Sequence, residues 1–133
     1  IVRIGSVAMK AHLTPGHTEG NTTWTTTVEE NGKKYEVVFA ASMSINPGVR
    51  MVNNPTWAGV GEAYAKSFQK LKSLSCDVFL GPHAPFFNME AKVGRMTADA
   101  KTNPFIDPEG YRNYIASYEK SYNEQLQQER AGK

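Results

Sequence analysis

The stretch Val7–Ala41, VAMKAHLTPGHTEGNTTWTTTVEENGKKYEVVFAA, decides the fold class. Its first seven residues alternate, with Val7, Met9, Ala11 and Leu13 on one face and Ala8, Lys10 and His12 on the other. Period-two alternation of that length predicts a half-buried strand. Thr14-Pro15-Gly16 ends it, because proline cannot donate to a ladder and glycine permits sharp turns. Thr22–Val28, rich in Thr and holding Trp24, predicts a second strand from residues that suit a pleated surface. Asn31-Gly32 marks a tight hairpin, since both residues tolerate positive φ. Tyr35–Ala41 is the predicted return strand.

Beyond this hairpin, Ser42 to Asn54 reads as a loop with Asn46-Pro47-Gly48 and Asn53-Asn54-Pro55 as breakers. Tyr64, Phe68 and Leu71 fall at i, i+4 and i+7, so a helix is predicted around Val60–Leu74. Cys76–Leu80 is a short apolar strand ended by Gly81-Pro82, and a further helix is expected around Asn88–Met96. Asp107 can cap a last helix and Pro108 fits its first turn. Tyr111, Tyr114, Ile115, Tyr118, Tyr122 and Leu126 mark one face of it. Gln125–Lys133 is a polar tail expected to fray. Four strands with two or three helices make an α/β layer arrangement, in which the helices cover one face of the sheet. The other face has no cover within the chain, which points to part of a larger fold.

Composition narrows the function classes. The 133 residues fit one domain, and 40% apolar with 21% charged residues is ordinary for a globular chain. A net charge of +2 is too small for a nucleic-acid footprint despite a pI of 8.7. No stretch approaches the roughly 18 apolar residues of a membrane span, so neither nucleic acid nor membrane is an expected partner. Cys76 is the single cysteine, which excludes an internal disulfide and a Cys-based zinc finger. Ile1-Val2-Arg3-Ile4-Gly5 carries no readable targeting signal and is expected to be a trimmed start.

Three histidines remain as imidazole ligands. His17 lies in Thr14-Pro15-Gly16-His17-Thr18-Glu19-Gly20 and His83 in Leu80-Gly81-Pro82-His83-Ala84-Pro85, each directly after a strand. Such loops carry binding residues disproportionately, because the sheet holds them while water reaches them. Both histidines read as polar loop residues or as metal ligands. Zinc catalysis typically takes three protein ligands, so two strand-end histidines make a poor site alone. His12 alternates away from the apolar face and reads as structural. Cys76 reads as a small buried hydrophobe with no basic neighbour to activate it. Ser42 and Ser44 stand together at a strand end and read by themselves as turn formers.

Four ordered motifs carry a family resemblance. They are Pro15-Gly16-His17-Thr18-x-Gly20-x-Thr22-x-Trp24, Ala41-Ser42-Met43-Ser44-x-x-Pro47-Gly48, Cys76-Asp77-Val78-x-Leu80-x-Pro82-His83 and Asn103-Pro104-Phe105-Ile106-Asp107-Pro108-x-Gly110-Tyr111. Together they resemble the third subclass of the class B metallo-β-lactamases. The resemblance implies the C-terminal βα half of a four-layer αββα sandwich, residues 1–133 being that half. The N-terminal half, with its His-x-His-x-Asp-His ligand run, is absent from this sequence.

The same resemblance implies two zinc ions in the complete site, with His17 a ligand of the first and His83 of the second. Ser42 and Ser44 match the positions that contact the substrate carboxylate. No catalytic residue lies in this chain, and its partners would be a β-lactam and the missing half or a second copy of itself. Zinc-dependent β-lactam hydrolysis is expected only with the other half present, in the periplasm to which the family is exported. The alternatives are a non-catalytic half-domain that self-associates, and a related zinc hydrolase acting on lactones or thioesters. Glu19 and Asn21 depart from the family pattern and are expected to be loop-surface changes. The frequent partner of Cys76 has no counterpart.

Overall fold

The structure, a computed structural model, describes residues 1–97 and 99–132. Its elements are β1 (Val2–Ile4), β2 (Val7–Leu13), β3 (Thr22–Glu30), β4 (Lys33–Phe39), α1 (Val60–Ser73), β5 (Val78–Leu80), α2 (Met89–Gly94) and α3 (Pro108–Arg130). A 3-10 turn over Ala84–Phe87 precedes α2. The strands form one mixed sheet in the order β1-β2-β3-β4-β5, antiparallel except for the parallel pair β4–β5.

The Asn31-Gly32 turn forms as predicted, with φ of 53° and 77°. Positive φ at both central residues gives the strands a twist that matches a two-residue loop. It fixes the register from Glu30 opposite Lys33 to Trp24 opposite Phe39. β3 and β4 run closer to the turn than expected because opposite charges, Glu29 with Lys34 and Glu30 with Lys33, face each other there. β4 also stops at Phe39 rather than Ala41, since the Ala41 amide donates to the Thr23 hydroxyl at 3.1 Å. β1 was not predicted: three residues are too few to show alternation. It pairs with β2 across a Gly5-Ser6 turn that Gly5 permits at φ 58°.

A parallel neighbour requires a crossover, and the segment between β4 and β5 supplies it with α1. Both long helices lie on one sheet face. Val38 and Phe79 from the sheet are buried against Tyr64, Phe68 and Leu71 of α1 and Tyr111, Tyr114, Ile115 and Tyr122 of α3. Four tyrosine hydroxyls there donate to main-chain carbonyls: Tyr64 to Ser44, Tyr111 to Leu71, Tyr114 to Ala41 and Tyr122 to Gly61. These core tyrosines therefore carry their hydroxyls paired, as burial demands.

Among the described residues the opposite sheet face is open apart from Val37, which is buried, and the apolar half of β2 lies on it rather than in the core. Val7 and Leu13 are 52% and 61% exposed, and Val28 and Phe39 of β3 and β4 are 44% and 38% exposed. It is the His12 side of β2 that turns toward the helices, with the His12 ring within hydrogen-bond reach of the Thr25 hydroxyl at 2.9 Å.

The α3 helix does not fray from Gln125. It continues to Arg130 because the Glu129 carboxylate accepts the Met51 and Val52 amides at 2.8 and 2.7 Å and the Gln125 side-chain amide at 2.7 Å. Lys133, the last residue of the expected tail, lies outside the described residues. The α2 helix is shorter than Asn88–Met96, since Asn88 adopts a left-handed conformation at φ 55° that precludes a helical start before Met89.

Candidate functional site

Sheet topology brings the predicted site residues to one edge. Antiparallel steps from β2 to β3 to β4 leave β2 and β4 running the same way, and β5 is parallel to β4. The C-terminal ends of all three strands therefore emerge together. His17 follows β2, Ser42 and Ser44 follow β4, and His83 follows β5.

The His17 loop is held at several points. Thr14 N donates to Asn21 O at 2.8 Å and Gly16 N to Thr18 O at 3.1 Å, closing the turn. The Asn21 side-chain amide donates to Thr14 O at 2.9 Å and to Ser42 O at 2.8 Å, joining the two site loops. From α1, the Ser67 hydroxyl donates to Pro15 O at 2.6 Å and the Lys70 ammonium to Leu13 O at 2.8 Å. Gly16 has no room for a side chain, because a Cβ there would lie 2.7 Å from Tyr64 Cδ1.

His17, Ser42 and Ser44 meet. His17 Nδ1 lies 2.8 Å from the Ser44 carbonyl oxygen. A carbonyl only accepts, so Nδ1 carries a proton, and a neutral ring in that tautomer keeps its lone pair on Nε2. The two serine hydroxyls are 2.9 Å apart, and Ser44 Oγ lies 3.3 Å from His17 Nδ1. Tyr64 donates to the same Ser44 carbonyl at 2.8 Å. Burial pushes the Tyr64 hydroxyl up to about 12, so it stays a protonated donor.

His83 shares the edge but not the hydrogen-bonded group. Its ring packs edge-on against Phe86 with centroids 5.1 Å apart, and it is exposed. Among the described residues no hydrogen bond joins it to His17, Ser42 or Ser44, and no cluster of three or more His, Cys, Asp or Glu could hold a metal. The donor chemistry of His17 suits a metal, since its hydrogen-bonded Nδ1 leaves Nε2 to coordinate, as ligating imidazoles do. Two histidines fall short of the three or four protein donors of a zinc site. The residues of this chain fit part of such a site and not the whole.

The remaining candidates lie elsewhere. Cys76 precedes β5, at the end of that strand away from His83, and is half-buried. Burial, helped by the Asp77 charge, raises its thiol to about 12, so it is no nucleophile. His12 is held below its usual value by burial and by Lys10 and Lys70, which suits a structural role. Asn21 is no loop-surface change: it is half-buried and bonds both site loops, although Glu19 is exposed as expected. Asn21, Tyr64 and Ser67 were not singled out as site residues from the sequence. Tyr64 was legible as apolar stripe, but nothing in its spacing tells where its hydroxyl points.

No protein-family profile matches the sequence. Solved structures do. The chain is similar to native FEZ-1 metallo-β-lactamase from Legionella gormanii, with a TM-score of 0.91 and 39% identity over 96% of this chain and 48% of that one. It is also similar to BJP-1, a subclass B3 metallo-β-lactamase of Bradyrhizobium japonicum, with a TM-score of 0.88 and 37% identity over 98% and 49% of the two chains. A Cronobacter sakazakii metallo-β-lactamase matches with a TM-score of 0.86 and 30% identity over 98% and 50%. The chain spans about half the length of the structures it matches.

Proposed function

The chain belongs to the subclass B3 metallo-β-lactamases and has about half of their fold, and on that premise we propose that it supplies part of a zinc site that hydrolyses the β-lactam amide bond. The observation that carries this reading is the joined group of His17, Ser42 and Ser44, with His17 Nδ1 engaged by the Ser44 carbonyl. His17 and His83 are the zinc ligands this chain contributes, one to each of two ions. When bound, zinc supplies a water acidic enough to ionise near neutral pH. The Ser42 and Ser44 hydroxyls bind the substrate carboxylate, each able to donate once their mutual contact is given up.

The remaining ligands belong to the other half of the fold, which is the N-terminal half, so the isolated chain is inactive. The test is reconstitution with a segment equivalent to the other half of the matched lactamases. Chelator-sensitive hydrolysis of a chromogenic cephalosporin is expected from the pair and none from this chain alone. Hydrolysis by the chain alone would overturn the partition. Turnover of lactones or thioesters in place of β-lactams by the pair would move it to the related hydrolases. A periplasmic location belongs to the same proposal, and fractionation of cells producing the whole protein tests it.

A second reading has its own observation, the apolar side chains Val7, Leu13, Val28 and Phe39 on the open sheet face. Exposed apolar patches mark association sites. On this reading the chain self-associates without catalysis, and light scattering would find dimers or larger species. A monomer that binds no apolar dye would remove it.

A further inference from the structure

We propose that Asn21 is a positioning residue, whose side-chain amide ties Ser42 to the loop after β2 and so sets where the Ser42 hydroxyl stands for a substrate carboxylate; its substrate role rests on the reading of Ser42 and Ser44 given above. The amide nitrogen donates to Thr14 O at 2.9 Å and to Ser42 O at 2.8 Å. Both partners are main-chain carbonyls, which only accept, so Nδ2 and not Oδ1 faces them. Each of its two protons is committed to one loop.

That demand selects the residue type. A hydroxyl at this position carries one proton and serves one carbonyl, and a carboxylate carries none and sets its charge against two acceptors. The main chain of Asn21 is held as well, its N–H donating to Thr18 O at 3.3 Å and its carbonyl accepting from Thr14 N at 2.8 Å. The two serines differ in what holds them. The Ser44 carbonyl has Tyr64 and His17 as donors, both at 2.8 Å. The Ser42 carbonyl has Asn21 alone among the described residues. Below this tie, Ala41 N donates to the buried Thr23 hydroxyl at 3.1 Å, which lies 3.1 Å from the Thr14 hydroxyl. Those bonds hold the base of the two loops without Asn21, so its loss should move Ser42 and leave the fold.

The test compares a chromogenic cephalosporin with its methyl ester on the reconstituted pair, in wild type, Asn21→Ala and Asn21→Asp. The ester keeps the β-lactam and lacks the carboxylate. Selectivity for acid over ester, the ratio of the two kcat/KM values, should fall roughly 10-fold in both variants, what one hydrogen bond to a charged group is worth. Zinc content and circular dichroism should match wild type. Rates lowered alike on acid and ester are what general loosening of the fold gives, and would overturn the proposal. Unchanged selectivity in Asn21→Ala would overturn it too.

A second measurement uses this chain alone and needs no variant. Both Asn21 Nδ2 protons should exchange with water more slowly than those of Asn123, which is exposed on α3. Exchange as fast as that of Asn123 would overturn the tie itself. A wild-type pair that hydrolyses no β-lactam removes the reading of function, and the substrate role of Asn21 with it. An active pair whose selectivity ignores Asn21 removes the proposal and leaves that reading standing.

Discussion

Lys92 shows how much one buried charge depends on its surroundings. It is 1% exposed, with its ammonium 2.8 Å from Asp107 Oδ2 and 5.6 and 5.8 Å from the ring centroids of Phe79 and Phe87. The pair holds by charge rather than by an aligned hydrogen bond, since Lys92 Nζ has none of good geometry among the described residues. Asp107 also caps α3 by accepting from Gly110 N at 2.9 Å. Asn caps as well as Asp does, so Asp107→Asn keeps the cap and removes only the charge. It should cost about 3–5 kcal/mol in denaturant unfolding, because it strands a buried ammonium. Lys92→Met leaves a carboxylate that is a third open to water and should cost under about 1.5 kcal/mol. The reverse order of these losses would show that the pair does not act as described. Asp107 and Pro108 were readable as a helix start because caps are local. The burial of Lys92 was not, since it depends on Phe79 and Phe87 arriving from elsewhere in the chain. The strand-end places of His17, Ser42 and Ser44 were likewise legible, because alternation and breakers are local, and their roles came only from the family resemblance, whereas Asn21 and Tyr64 act through hydrogen bonds to residues 20 or so positions away, which spacing does not encode.

At the scale of elements, α1 works as a rail for the loop after β2. Tyr64, Ser67 and Lys70, three residues apart along one face, contact Gly16, Pro15 and Leu13 in turn. The α3 helix holds the loop that precedes α1 in the same manner. Burial alone would raise the Glu129 carboxyl, but the Gln125 amide, the Met51 and Val52 amides and the Arg50 charge together hold it below the usual carboxylate value. A lowered native pKa adds stability at pH values above the unfolded value, and that contribution is lost as acid titrates the group in the fold. The 49–52 segment should therefore loosen below about pH 4.5. Glu129→Gln should loosen it at neutral pH, read as faster hydrogen exchange at Met51 and Val52 with α1 unchanged. Equal protection in both proteins would count against the tie. The hairpin and both long helices were legible because their signals, a turn dipeptide and a repeating stripe, lie within each element. The extension of α3 to Arg130 was not, because a tail of Gln, Glu and Arg shows its partner only once the 49–52 loop is folded against it.

For the whole molecule, the open sheet face is the dominant fact. Val7→Lys combined with Val28→Glu changes two side chains already half in water. The double variant should lose apolar dye binding and remain within about 1 kcal/mol of the parent in stability. A large loss of stability would mean that this face is covered within the isolated chain. The other face has a consequence at the alkaline end of the pH scale. Tyr64, Tyr111 and Tyr114 are held protonated by burial, with Tyr64 at about 12 and the other two higher still. An unfolded tyrosine ionises near 10, so above that value the unfolded chain sheds protons that the folded one keeps, and stability falls as pH rises. Spectrophotometric titration should then show tyrosinate absorbance from these residues appearing in one steep step, together with the collapse of helical circular dichroism. The phenols become an optical gauge of cohesion, dark while the helices grip the sheet and absorbing once they let go.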